Sequence, residues 1–202
     1  MTEQVIRYPA QSEPAVFTQD ELGWLPWLEP LPESALTDRH RDGLVDPARA
    51  KSPYFMLLVR DPEVLGARTR TDKDIFYNTR NGLPRADREV AAAATSRVNG
   101  CIFCASVHAR FATVHSKRRE EVQTLLDEGI SGVADPRWAA IARASEALTE
   151  TPSGFGTRDI QALAGAGLSD LEIIDVINGA AFFNWANRLM LSLGQPEEPV
   201  AA

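Results

Sequence analysis

After the first thirty or so residues, apolar positions recur with helical spacing, and polar or Gly/Pro punctuation cuts the chain into successive helices. Asp61-Pro62-Glu63 offers a capping side chain, a proline at the first helical position and an acid in the first turn. A helix is expected from there to about Asn78, broken by Asn81-Gly82-Leu83-Pro84. A second runs from about Arg85 to Val98 and stops at Asn99-Gly100; a third starts near Cys101 and reaches Phe111. Helices follow over Ser116–Glu128, Asp135–Glu150, Thr157–Ala164 and Ser169–Leu193, the last ending at Gly194. No run of β-branched residues alternates with period two, so the fold class expected is all-α.

The opening of the chain is different. Pro9, Pro14, Trp24, Pro26, Trp27, Pro30 and Pro32 read as an extended arm that docks its aromatics on a neighbouring surface. The expected division is therefore an N-terminal arm and docking segment over 1–50 and a helical domain over 51–202. A weak echo between Leu83–Phe111 and Leu168–Leu193 suggests two related helical units, only the first of which carries Cys and His.

Composition narrows the partners. A net charge of −7 argues against a nucleic-acid binder, and the one basic cluster, Lys117-Arg118-Arg119, runs straight into Glu120-Glu121 as a solvated helix face would. No apolar run approaches the roughly 18–20 residues that span a bilayer, and the first residues lack the pattern of a secretory signal. No membrane partner and a cytoplasmic address are the expectations. There are only two cysteines, three positions apart, which in a reducing compartment suggests reactivity or metal binding rather than a structural staple.

The chemistry concentrates in Asn99-Gly100-Cys101-Ile102-Phe103-Cys104, followed by His108. Helical residues i and i+3 have Cα atoms about 5 Å apart, within the reach of a disulfide. His108, four residues after Cys104 and seven after Cys101, shares their helix face. Both sulfurs fall in a first turn, where free N–H groups and the helix dipole favour a thiolate. Helix-terminus physics points to Cys101 as the more acidic thiol, whereas an imidazole one turn away points to Cys104. Glu89 joins only if the chain folds back at Asn99-Gly100, since a straight helix would hold it about 18 Å from Cys101. In a hairpin its carboxylate lies level with His108 and completes a Glu–His–Cys relay.

Glu-x11-Cys-x2-Cys-x3-His with Asn-Gly before the first cysteine resembles the alkylhydroperoxidase D / carboxymuconolactone decarboxylase superfamily, and its peroxidase-related branch most closely. The resemblance covers about Ser52 to Gly194, including Asn184-Trp185-Ala186-Asn187-Arg188-Leu189. It implies an all-helical fold assembled as homo-trimers or hexamers, and a thiol-dependent peroxidase with no cofactor beyond a redox-active Cys101–Cys104 disulfide. It implies a small hydroperoxide as substrate and an external dithiol as reductant. By matching positions, Cys104 is the peroxidatic thiol, Cys101 the resolving thiol, and His108 and Glu89 the relay. Phe103 departs from the pattern, because the best-known member has a relay histidine between its cysteines.

Other readings stand beside this one. Cys101, Cys104, His108 and Glu89 are plausible zinc ligands, though no second ligand pair exists. A helical oligomer active in disulfide exchange or redox sensing fits the same residues. Haem attachment would need histidine where Ala105 stands, and a thioredoxin-like fold would need a strand before the cysteines. Decarboxylation of a muconolactone-type substrate has no evident use for a CxxC pair. His40 reads as a loop residue and His115 as a helix-end residue; Phe76, Tyr77, Phe182 and Phe183 read as core. Asn184, Asn187 and Arg188 form a polar stripe on an apolar helix, read as a helix-packing or subunit-interface network, with a thiol-pocket lining as the rival.

Overall fold

A computed structural model describes residues 5–78 and 80–198. Residues 1–4, 79 and 199–202, which belong to the expected arm and helical domain, lie outside the described residues. The all-α expectation holds. Among the described residues there are nine α-helices, α1 Asp38–Leu44, α2 Pro53–Leu58, α3 Pro62–Tyr77, α4 Arg85–Val98, α5 Ile102–Ser116, α6 Arg119–Glu128, α7 Pro136–Thr149, α8 Thr157–Gly165 and α9 Asp170–Leu193. A two-stranded antiparallel ladder, β1 Gly23–Pro26 with β2 Gly194–Glu197, is the only sheet among them.

The long helices start and stop where side-chain caps dictate. Asp61 accepts from the Val64 N–H at α3, Asp135 from Arg137 and Trp138 at α7, and Ser169 forms a capping box with Glu172 at α9. Three details differ from the sequence reading. Helical structure begins earlier, with α1 and α2, so His40 sits in the first turn of α1, where its Nδ1 accepts the Thr37 N–H. Helix α5 runs to Ser116 and turns at Lys117, φ 63°, instead of ending near Phe111. Arg118 is no solvated charge: it bridges Glu121 and Asp135 and lies 3.8 Å over the Trp138 ring.

The main core lies around α4. Ala91, Ala92, Ala93 and Ala94 are fully buried, and α5, α7 and α9 pack about this small-residue helix. Leu125, Leu126, Ile141 and Leu163 close the outer layer, each worth about 1.5–3 kcal/mol of burial. The two segments whose sequences echo each other take different shapes, one a pair of helices broken at Asn99-Gly100, the other the single helix α9.

The arm docks on its own chain. Trp24 is buried in a cluster with Tyr54, Leu57, Cys101, Cys104 and Met190, and Trp27 donates its indole N–H to Gln195. The ladder depends on close approach rather than on β-branched residues, which is why its sequence is silent. At Gly194 a Cβ would come within 2.3 Å of the Leu25 carbonyl and 2.4 Å of the Trp24 ring. The arm thereby walls one side of the cysteine region.

Candidate active site

Helices α4 and α5 fold back on each other at Asn99-Gly100. Asn99 closes α4 in a right-handed conformation, and Gly100 takes φ +71°, where a Cβ would cost about 1–2 kcal/mol. Ala91, Ala94, Ala105, Ala109 and Ala112 are buried in one cluster, and their small side chains let the two helices approach closely. Glu89 and His108 are therefore brought together. His108 Nδ1 lies 2.5 Å from Glu89 Oε2, and since the carboxylate only accepts, the ring N–H donates.

The rest of the relay is equally fixed. Glu89 is fully buried, and its other oxygen takes a charge-assisted bond from Arg85, one turn earlier, at 2.5 Å. The His108 ring sits with its centroid 4.1 Å from Phe183 and 5.3 Å from Phe76. With Nδ1 committed to Glu89, Nε2 is the nitrogen left to exchange a proton. Arg85 escaped the sequence reading, although an Arg/Glu pair at i, i+4 on a predicted helix is a visible signal.

Cys101 occupies the N-cap position of α5 and Cys104 lies in its first turn, as the spacing predicts. Both are free thiols, 1% and 6% exposed. Cys104, His108 and Glu89 line one cavity of about 570 Å³, walled by Tyr54, Phe55, Phe76, Phe103 and Phe183 among others. Cys101 opens instead on a smaller recess of about 90 Å³ beside Trp24 and Met190. Charge and access thus part company. The hydrogen bond from the Cys104 thiol lowers Cys101 below the usual thiol value against the opposing effect of burial. The same bond, with burial, pushes Cys104 well up. The thiolate character rests on Cys101, as helix-terminus physics suggests, while the open sulfur is Cys104.

The polar stripe on α9 divides. Asn187 is fully buried and gives an N–H to Ser96 Oγ at 3.0 Å, while Asn99 gives its amide to Asn184 and Asn187 at 3.1 and 3.0 Å. Asn184 also reaches Thr149. This is a helix-packing network within the chain, and Asn187 adds a hydrogen bond to the thiol pair that favours the thiolate. Arg188 is exposed and takes no part in it. Phe76, Phe182 and Phe183 are buried as expected, but Tyr77 is exposed at the cavity rim. His115 is an exposed residue of the last turn of α5. Among the described residues no three His, Cys, Asp or Glu side chains converge as a metal site, so the donors of the zinc reading are not gathered.

Two residues that the sequence reading passed over also face the cavity. Tyr54 from α2 and Arg68 from α3 are both buried, with burial pushing the Tyr54 phenol up to about 12. Nothing in the sequence around them marks them out; only the packing of α2 and α3 against the hairpin does.

No curated protein matches this chain. Solved structures share its fold. The AhpD-core, peroxidase-related protein from Ralstonia eutropha JMP134 is 22% identical, with a TM-score of 0.68 over 81% of this chain and 88% of that one. A peroxidase-related protein from Silicibacter sp. TM1040 is 20% identical, with a TM-score of 0.66 over 93% and 94%. The debrominase Bmp8 is 17% identical, with a TM-score of 0.65 over 81% and 87%. The sequence profile of the carboxymuconolactone decarboxylase family matches residues 62–147, the stretch from α3 to α7 that holds Glu89, Cys101, Cys104 and His108. Over that stretch, and on a helical fold shared with the AhpD-core protein, this chain is similar to the carboxymuconolactone decarboxylase family.

Proposed function

We propose that the protein is a thiol-dependent peroxidase that reduces small hydroperoxides through a Cys101/Cys104 dithiol–disulfide cycle. The observation that carries this reading is the shared cavity: a thiol, an imidazole and the carboxylate that orients it line one apolar-walled space. Cys104 is the attacking sulfur because it opens on that space. Its proton passes to His108 Nε2 as the peroxide binds. The Cys104 thiolate then forms an S–O bond to the terminal peroxide oxygen, the O–O bond breaks, and the alkoxide leaves as an alcohol with a proton from His108.

Cys104 is now a sulfenic acid. Cys101 attacks its sulfur, the S–O bond breaks, and hydroxide leaves as water with the second thiol proton. Two thiols and one hydroperoxide have become one disulfide, one alcohol and one water. An external dithiol returns the pair by exchange and is itself oxidised. A reducing compartment such as the cytoplasm suits a pair that rests as free thiols. Phe103, in place of a second relay histidine, leaves His108 as the one imidazole on the cavity, which favours a simpler proton path.

Titration of free thiols with one equivalent of hydroperoxide tests this. Loss of two thiols per chain, restored by a dithiol, is the expected outcome; thiols that survive peroxide yet exchange with a small disulfide would leave only a disulfide-exchange protein. The lowered Cys101 is what favours that second reading, since the first cysteine of such a pair is the usual attacker in exchange.

The protein also forms a homo-oligomer in this reading. Leu171, Ile174 and Trp185 on α9 are exposed and spaced for one helix face, an apolar stripe suited to a second copy of the chain. Light scattering is expected to give a trimer or hexamer that Trp185→Glu dissociates. A wild-type monomer at micromolar concentration would end the assembly claim without touching the chemistry.

A further inference from the structure

Among the described residues four buried side-chain polar atoms lack a hydrogen-bond partner, and three of them are Tyr54 OH and Arg68 Nε and Nη1. The two residues are neighbours, with the Arg68 guanidinium 5.8 Å from the Tyr54 ring centroid and 5.1 Å from that of Phe182. Both line the cavity that Cys104 opens on. Arg68 is 94% buried, being 6% exposed, and a buried cation without a hydrogen-bonded counter-ion is costly to maintain in a fold.

The carboxylates around the cavity do not answer it. Asp72, one turn further along α3, is held by Arg49 at 3.3 Å. Glu89 is held by Arg85 and His108, and Glu21 by Arg110 at 3.3 Å. Each acid that lines the space already has its cation, whereas Arg68 forms no ion pair with any of them. Tyr54, kept protonated by its burial, adds an O–H donor beside the guanidinium. Two sets of donors without acceptors, in an aromatic-walled space next to a nucleophile, describe a binding site for a negatively charged oxygen group.

We propose that Arg68 and Tyr54 anchor a carboxylate of the substrate, so that the molecules taken here are apolar compounds bearing one carboxylate. Resting on the peroxidase reading, this makes the substrate class carboxylated organic hydroperoxides, held by the acid while the O–O bond is presented to Cys104. A planar guanidinium with a phenol beside it matches a carboxylate's two oxygens, and a full positive charge is neutralised by an acid but not by a neutral peroxide.

Binding and turnover test the proposal separately. Calorimetry of the wild-type dithiol protein with 4-isopropylbenzoate and with its methyl ester is expected to show the acid binding at least about tenfold tighter, with Arg68→Met erasing the difference and Tyr54→Phe narrowing it. In turnover, Arg68→Met should raise the KM for 4-carboxycumene hydroperoxide by about tenfold more than the KM for cumene hydroperoxide. Equal binding of acid and ester by the wild type overturns the proposal and needs no variant to fold. An equal loss on both peroxides in Arg68→Met also overturns it, because the guanidinium would then serve the sulfur or the O–O bond. Acid-selective binding with neither peroxide consumed leaves the anchor standing and removes the peroxidase reading instead.

Discussion

Cys104→Ser is expected to lower hydroperoxide consumption by at least about 10³-fold, because it removes the one sulfur that opens on the cavity. Cys101→Ser should behave differently. Cys104 can still break one O–O bond, so a burst of one peroxide per chain is expected, after which the unresolved sulfenic acid stalls and excess peroxide drives it to the sulfinic acid. The two variants also differ in pH dependence. In the intact pair the Cys104 thiol is raised chiefly because it donates to Cys101, with burial adding to that. Without a Cys101 thiolate to receive the bond, that cause vanishes, so Cys104 in Cys101→Ser should ionise at lower pH than in the wild type. In Cys104→Ser the serine hydroxyl still donates, and Cys101 should stay below the ordinary thiol value. Absorbance at 240 nm follows each thiolate, and stopped-flow mixing follows each burst. If Cys104→Ser consumes peroxide as the wild type does, the assignment of the attacking sulfur fails; if both variants do, so does the peroxidase reading.

The helices and the hairpin were legible because they are written locally. Asp61-Pro62, Asp135-Pro136 and Ser169 cap helices with their own side chains, and Asn99-Gly100 can close only where a residue tolerates positive φ. Glu89 and His108 follow from that turn by counting residues on either side of it. The ladder of Gly23–Pro26 with Gly194–Glu197 was not legible, since its ends are some 170 residues apart and its determinant is the lack of a Cβ at Gly194 against Trp24. Nor were Tyr54 and Arg68. Their significance is that, among the described residues, no hydrogen-bond partner reaches Tyr54 OH or Arg68 Nε and Nη1, a property of packing that no spacing rule encodes. The balance between the two thiols lay between these cases: sequence identified the competing causes, and only the S–H···S bond and the two separate openings decide which sulfur holds charge and which meets solvent.

Glu89→Ala should be the most destabilising single change in the site, and Glu89→Gln the most informative. Glu89 is fully buried between a guanidinium and an imidazole. Removing one member of such a cluster typically costs about 3–5 kcal/mol, a large share of the roughly 5–15 kcal/mol that holds a domain together. The loss at Arg85 is partly offset, because it also donates to the Phe76 carbonyl at 2.9 Å and lies 4.3 Å over the Tyr77 ring. His108 has no such reserve: Phe76 and Phe183 hold its ring by contact, and only Glu89 holds its Nδ1 proton. Glutamine keeps the shape and one acceptor but removes the charge, and its NH₂ must face either Arg85 or His108. In either orientation a donor confronts a donor or the ring is free to change tautomer, which takes the proton-accepting site away from Nε2. Urea unfolding should therefore place Glu89→Gln between the wild type and Glu89→Ala. Peroxide turnover by the folded glutamine variant should fall by about 10²–10⁴-fold, the range expected when a positioned acid–base group is lost. A glutamine variant that unfolds more easily yet turns over at the wild-type rate would separate the two roles, leaving Glu89 as a structural counter-ion and His108 without a carboxylate partner in the chemistry.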